Sequence, residues 1–207
     1  MSVLTSTSLS HFIDTNVLLR HANNDSTPDS QDIQRILDEA ADGKRSLWIS
    51  SVIFAEFRPS SFRPGKFDDL SSFVRYIQSI TETISPTPET MLRAGRLRDI
   101  KWWKSPDMRQ ANEKVRCLTL GDAVHLASAL WVKEALGIND IEFLTFDNGQ
   151  STSDEADSNT KALSLLSLQD YTYDIGGNPD VRALVELRRI RPVLADPRLP
   201  DLPVSRG

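Results

Sequence analysis

Two short apolar runs bracket an acid near the start of the chain. Phe12 and Ile13 lead into Asp14, two small polar residues follow, and Val17, Leu18 and Leu19 resume the apolar pattern. That order predicts a buried strand ending on Asp14 and a short helix through 17–20. A polar stretch, 21–30, precedes a second helix over 31–41, where Ile33, Ile36, Leu37 and Ala40 recur at helical spacing. Asp29 or Ser30 is its expected cap and Gly43 its stop. Leu47–Ser50 reads as a second strand, and Val52–Phe57, capped by Ser50 or Ser51, as a helix halted near Pro59. Residues 67–80 form an amphipathic helix, 83–85 a short third strand, and 88–104 a further helix that carries Trp102 and Trp103. Residues 105–117 are polar, without a decisive period and with room for a helical part. Thr119–Leu136 is the strongest helical pattern, with Thr119 as cap, a face of Ala123, Leu126, Ala127 and Leu130, and Gly137 as its close. Ile141–Phe146 reads as a fourth strand with Asp147 at its end. Residues 148–160 read as a mobile polar loop, and 161–168 fit helix or strand equally. Gly176, Gly177 and Pro179 mark a boundary before a short helix over 180–190 and an extended Pro- and Arg-rich tail.

Strands alternating with helices predict an α/β fold, with a mostly parallel sheet covered by helices on both faces. At 207 residues the chain suits one domain with an appendage. A net charge of −5 excludes a protein that coats nucleic acid by bulk charge, but not a nuclease built on an acidic centre. The single cysteine, Cys117, excludes an internal disulfide framework and a cysteine-based zinc site, and a reducing cytoplasm is the expected setting. No apolar run approaches the ~18 residues of a membrane span, and residues 1–10 lack the basic and apolar regions of a secretory signal.

Four acids fall at comparable places on this scaffold. Asp14 ends one strand, Glu56 lies on the helix after the next, Asp122 opens a later helix, and Asp147 ends another strand. Ligands of open α/β sheets sit outside the carboxyl ends of the strands, so all four acids can converge there. Each alone could be a cap or a surface charge. Together they would repel one another and raise each other's pKa values. A divalent cation offsets that cost, and an all-oxygen donor set favours Mg²⁺ or Mn²⁺ over zinc.

Four blocks carry a resemblance to a known family: Phe12-Ile13-Asp14-Thr15-Asn16-Val17-Leu18, then Ser50 through Glu56, then Leu120-Gly121-Asp122-Ala123-Val124-His125 through Leu130, and Phe143-Leu144-Thr145-Phe146-Asp147. In this order they resemble the PIN domain ribonucleases, and most closely the VapC-like toxins. The resemblance covers roughly 10–175, with 148–160 as an insertion and 176–207 as a C-terminal helix and tail. It implies a three-layer α/β/α sandwich and a metal-dependent endoribonuclease using Mg²⁺ or Mn²⁺. It also implies an RNA substrate, a cognate antitoxin and a homodimer. Asp14, Glu56, Asp122 and Asp147 would be the metal-binding and catalytic acids, with Asp14 and Asp122 as direct ligands. Asn16 and Thr145 would orient a carboxylate or the attacking water. Hydrolysis in line would leave a 5′-phosphate and a 3′-hydroxyl. The insertion and the tail exceed the small toxins' pattern, and 58–117 is longer and more basic than it.

His125, three residues after Asp122, shares nearly its helix face and either meets substrate or packs behind the site. One of Trp102 and Trp103 is expected in the core, leaving the other to stack on a base or bind a partner. Residues 93–116 hold eight bases against three acids, which suits either an RNA contact surface including Arg93, Arg96, Lys101 and Lys104 or a solvated face. Two other classes compete with the nuclease reading. An Asp-nucleophile phosphatase would need an acid where Asn16 stands. A PIN-like module could also bind RNA or a partner without cutting it.

Overall fold

Strand β1, Leu9–Ile13, is the middle of a five-stranded sheet. The computed structural model describes residues 9–23, 28–63, 65–149 and 160–193. After β1 come helix α1 (Thr15–Ala22), helix α2 (Pro28–Ala41), strand β2 (Arg45–Ser50), the single-turn helix α3 (Ile53–Glu56), helix α4 (Leu70–Ile80) and strand β3 (Glu82–Ile84). Helix α5 (Pro88–Asp99), strand β4 (Val115–Cys117), helix α6 (Leu120–Ala135) and strand β5 (Glu142–Leu144) follow. Strand β6 (Thr160–Ala162), helix α7 (Pro179–Glu186) and strand β7 (Arg189–Ile190) complete the order. The main sheet runs β3-β2-β1-β5-β7 and every pairing in it is parallel. β4 and β6 make a separate parallel pair.

Side-chain alternation on the strands explains the three layers. Successive strand residues point to opposite faces. Phe12 and Phe143 therefore enter a core shared with α5, α6 and α7, through Ala94, Leu97, Leu126, Leu130, Val181 and Leu184. Ile13, Leu47, Ile49 and Leu144 enter a second core with α1, α2, α3 and α4, through Val17, Leu18, Leu37, Ile53, Phe73 and Ile77. Both faces of the sheet are thus buried under helices, as a parallel sheet requires.

Caps explain most helix boundaries. Thr119 Oγ1 accepts the Asp122 amide at the start of α6, and Asp69 forms a reciprocal capping box with Ser72 on α4. Gly43 and Gly137 follow their helices in the left-handed region, with φ of 70° and 71°. α3 has no side-chain cap; the expected Ser50 instead accepts the Val52 amide at 3.4 Å.

Three elements differ from the pattern in the sequence. The helix expected over 88–104 ends at Asp99, so neither tryptophan is helical. Trp102 exchanges backbone hydrogen bonds with Arg116, at 3.0 Å each way, and Trp103 bridges to Thr172. Full burial of the Trp102 indole in the core fixes this extended course. The ambiguous 161–168 resolves into the end of β6 and the coil before a 3₁₀ turn at Leu168–Tyr171. The single helix expected over 180–190 divides into α7 and β7, because β5 offers an open edge that Arg189 and Ile190 complete. The last strand of the sheet therefore comes from beyond Gly176. Most of the 148–160 insertion, and the tail from 194, lie outside the described residues. Among the described residues no helix is long and apolar enough to cross a membrane.

Candidate metal centre

Because all five strands are parallel, their carboxyl ends and the helix starts beyond them share one edge. A cleft of about 520 Å³ opens there. Asp14, Glu56, Asp122 and Asp147 all line it, together with Asn16, Thr15, Arg20, Arg58 and Phe146. The four acids named from the sequence are thus brought together from β1, α3, α6 and the end of β5.

Asp14 is buried and tightly held. Its Oδ2 accepts Thr145 Oγ1 at 2.6 Å and Asn16 Nδ2 at 2.7 Å. The same two supports fix the neighbouring strand end. Asn16 Oδ1 accepts the Phe146 amide at 3.0 Å, and Thr145 Oγ1 accepts the Asp147 amide at 2.9 Å. Asn16 and Thr145 therefore orient Asp14 and the Asp147 backbone at once. Asp147 Oδ1 in turn accepts the Gly149 amide at 2.7 Å. Asp122 Oδ2 accepts the hydroxyl of its own cap, Thr119, at 2.6 Å.

Glu56 is held from behind. His125 Nε2 lies 2.9 Å from its Oε2, and Thr15 Oγ1 donates to the same oxygen. His125 is buried and also lies 3.2 Å from Thr15 Oγ1. It is absent from the cleft wall, so it serves Glu56 from the protein side. Gly121 completes the seat. A Cβ there would stand 1.9 Å from Glu56 Oε1, so the carboxylate occupies the space that any other residue would fill.

The electrostatics follow from this crowding. Burial raises the Asp14 carboxyl above its usual range, and the charges of Glu56 and Asp147 add to it. Burial, and then the charge of Asp14, push Asp122 to about 7. Burial also raises Asp147, against backbone hydrogen bonds from Gly149 and Leu165. Burial would raise Glu56 as well, but the His125 hydrogen bond and charge outweigh it and hold Glu56 low. Burial alone would lower His125, yet the Glu56 hydrogen bond and charge raise it. The Glu56–His125 contact thus favours the ionised form of each partner, while burial disfavours ionisation of Asp14, Asp122 and Asp147.

That resistance is what a cation relieves, and the donors are all oxygen, which suits a hard ion such as Mg²⁺ or Mn²⁺. Among the described residues no group of three or more His, Cys, Asp or Glu side chains is placed to hold a metal ion. Mg²⁺ fits an open arrangement, since it takes one or two carboxylates and keeps several waters.

The other residues named from the sequence lie elsewhere. None of Arg93, Arg96, Lys101 and Lys104 lines the cleft. Arg93 pairs with Glu134 at 2.7 Å and Asp180 at 3.1 Å, and Arg96 with Asp180 at 2.8 Å. Glu134 lies twelve residues beyond Asp122 on α6, about 18 Å along the helix. Sequence reasoning passed over Thr15, Gly121, Arg20, Arg58 and Phe146. Thr15 and Gly121 adjoin Asp14 and Asp122, which was a usable signal. Arg20 and Arg58 gave none, because only the cleft joins them. Arg20 lies over the Phe146 ring at 4.0 Å and pairs with Asp29 at 3.2 Å.

The family profile described as PIN domain matches residues 11–155. No curated protein matches the sequence. A solved structure of VapBC2 from Rickettsia felis, bound to a DNA fragment from its promoter, is similar at 16% identity and a TM-score of 0.42, over 66% of this chain and 87% of that one.

Proposed function

This chain belongs to the PIN domain family, whose members are typically metal-dependent nucleases, and on that premise we propose that it is a Mg²⁺- or Mn²⁺-dependent endoribonuclease. The observation that carries the reading is the convergence of Asp14, Glu56, Asp122 and Asp147 on one cleft at the carboxyl edge of the sheet. A divalent cation held there supplies Lewis acidity toward the scissile phosphate and lowers the pKa of water. Asp14 and Asp122 would hold it, Asp14 being fixed by Thr145 and Asn16. Asp147 would add a third oxygen donor from the same wall. Glu56, whose ionised form the His125 contact favours, accepts a proton or a hydrogen bond from the attacking water. Arg20 and Arg58 place positive charge beside the acids, where phosphates pass. Water oxygen bonds to phosphorus, the bond to the 3′ oxygen breaks, and that oxygen takes a proton.

The test is cleavage of single-stranded RNA by the full chain with Mn²⁺. Asp14→Asn and Asp122→Asn should each lower the rate by about 100-fold or more, the upper range for lost support of a metal site. Equal cleavage in EDTA sinks the reading. RNA binding without cleavage would leave a non-catalytic module. The finer role, toxin of a toxin–antitoxin pair, rests on the VapC-like sequence blocks. Its test is induced expression in a bacterial host, where the wild type should arrest growth and Asp14→Asn should not. Cleavage in vitro without growth arrest would point to an RNA-processing nuclease.

A further inference from the structure

We propose that a second surface, formed by Trp103, Lys104, Arg109, Arg116 and Tyr173, binds the single-stranded RNA that continues out of the cleft. The proposal rests on the nuclease reading for the identity of its ligand. Its observations are separate from the acidic centre.

The end of α5 at Asp99 creates this surface. Trp102 turns into the core, and Trp103 stays half-buried beside Thr172. The Arg109 guanidinium lies 4.6 Å from the Trp103 ring and 5.4 Å from the exposed Tyr173 ring. Its Nε donates to the Lys104 carbonyl at 2.7 Å, which fixes the plane of the group. Lys104 and Arg116 approach the Tyr171 ring at 5.0 and 5.6 Å. Glu113 lies 3.6 Å from Lys104, whereas no carboxylate among the described residues pairs with Arg109. Arg116 gives Nη1 to the Ala162 carbonyl, and its buried Nε has no partner among the described residues.

Charge and chemistry select the ligand. Residues 101–117 carry five bases and two acids in a chain whose net charge is −5. Lys161 adds a base on β6, and Asp170 and Asp174 add acids beside the tyrosines. A guanidinium stacked on a ring keeps its edge available to phosphate, and exposed rings stack on bases of any sequence. The cleft sets Arg20 and Arg58 against four acids, so cations outside it add affinity for the strand beyond the scissile group.

Connectivity ties the surface to the cleft. β4 leads through Leu118 and Thr119 directly to Asp122. Just past β6, Ser164 Oγ and the Leu166 amide both donate to the Asp147 carbonyl. Arg116 stands six residues before Asp122, a path of roughly 15 Å with three extended steps and one helical turn. A short length of extended strand spans that distance.

The experiment uses the full chain and a labelled single-stranded RNA of about 12 nucleotides, within the site sizes of such surfaces. Binding is followed by anisotropy in EDTA, so nothing is cut. Arg109→Gln and Tyr173→Ser should each weaken binding by about tenfold, and Arg109→Gln should lower the salt slope by about one. RNA should quench tryptophan emission in the wild type and much less in Trp103→Phe, which keeps a ring in place. Mn²⁺-dependent hydrolysis of bis(p-nitrophenyl) phosphate, too small to reach the surface, should be unchanged in all three variants. Unchanged RNA affinity in Arg109→Gln and Tyr173→Ser overturns the proposal, as does an equal loss of affinity for duplex RNA. If the wild type cleaves neither RNA nor the small diester, the nuclease reading fails, and the anisotropy series still decides whether the surface binds RNA.

Discussion

A single methyl group separates a seated Glu56 from a displaced one. In Gly121→Ala the new Cβ would lie 1.9 Å from Glu56 Oε1. What it meets is the end of a flexible side chain, so the carboxylate gives way and the backbone holds. Gly121→Ala should therefore unfold at nearly the wild-type temperature yet lose about 10- to 100-fold in Mn²⁺-dependent cleavage, as thermal melts and rate assays on the same preparation will show. A large fall in melting temperature would mean that Gly121 serves packing rather than Glu56. The acids themselves were legible in the sequence, because each stands at a strand end or in the first turn of a helix. Gly121 was not, since its role comes from Glu56, sixty-five residues earlier. His125 was legible only as an alternative. Its spacing from Asp122 put it near the site, and its burial against Glu56 placed it behind the wall.

At the scale of elements, α7 and β7 carry more than a C-terminal appendage would. Val181, Leu184 and Leu187 belong to the core beneath α6. β7 supplies backbone partners to β5, with the Phe143 amide donating to Arg188 at 2.8 Å and the Thr145 amide to Ile190 at 3.0 Å. Thr145 is the residue that holds Asp14. A chain ending at Gly176 should thus expose the β5 edge, aggregate or melt without a cooperative transition, and lose cleavage. A soluble, cooperatively folding truncation would show that 10–175 stands alone as a domain. The division of 180–190 was not legible because Val185 to Ile190 fits a helix locally, and only the open edge of β5 makes it a strand. The course of Trp102 and Trp103 was hidden for the same reason. Their partners, Arg116 and Thr172, are distant in sequence.

For the whole molecule, two buried histidines, His11 and His21, and the raised carboxyls of the cleft answer acid in opposite directions. Burial, and then the charge of Lys66, hold His21 at about 4, in a pocket between the Phe67 and Tyr76 rings. Burial, and then Arg45, hold His11 at about 4 as well. In the unfolded chain each ring titrates near 6.5. Between those values the unfolded chain binds protons that the folded chain does not. The contribution of these two rings is therefore full above about pH 6.5 and is lost as pH drops toward 4, by roughly 3 kcal/mol at most for each ring, while Asp122, raised to about 7, shifts stability the other way over the same range. Urea unfolding at stepped pH isolates the His21 share: the wild type should lose stability relative to His21→Phe as pH drops from 6.5 to 4. An unchanged slope in His21→Phe would mean that His21 stays accessible to protons in the folded state.

The sequence alone determined the α/β class, the parallel sheet and the four acids at its carboxyl edge. These follow from local periods and from the rule that parallel strands deliver their ends to one side. Tertiary structure alone decided the rest. It paired Glu56 with His125, set Gly121 beneath that pair, turned Arg93 and Arg96 toward Glu134 and Asp180, and brought Trp103, Arg109 and Tyr173 together. Each of those facts is a contact between side chains far apart in sequence. Burial and charge fix such contacts only once the layers are packed.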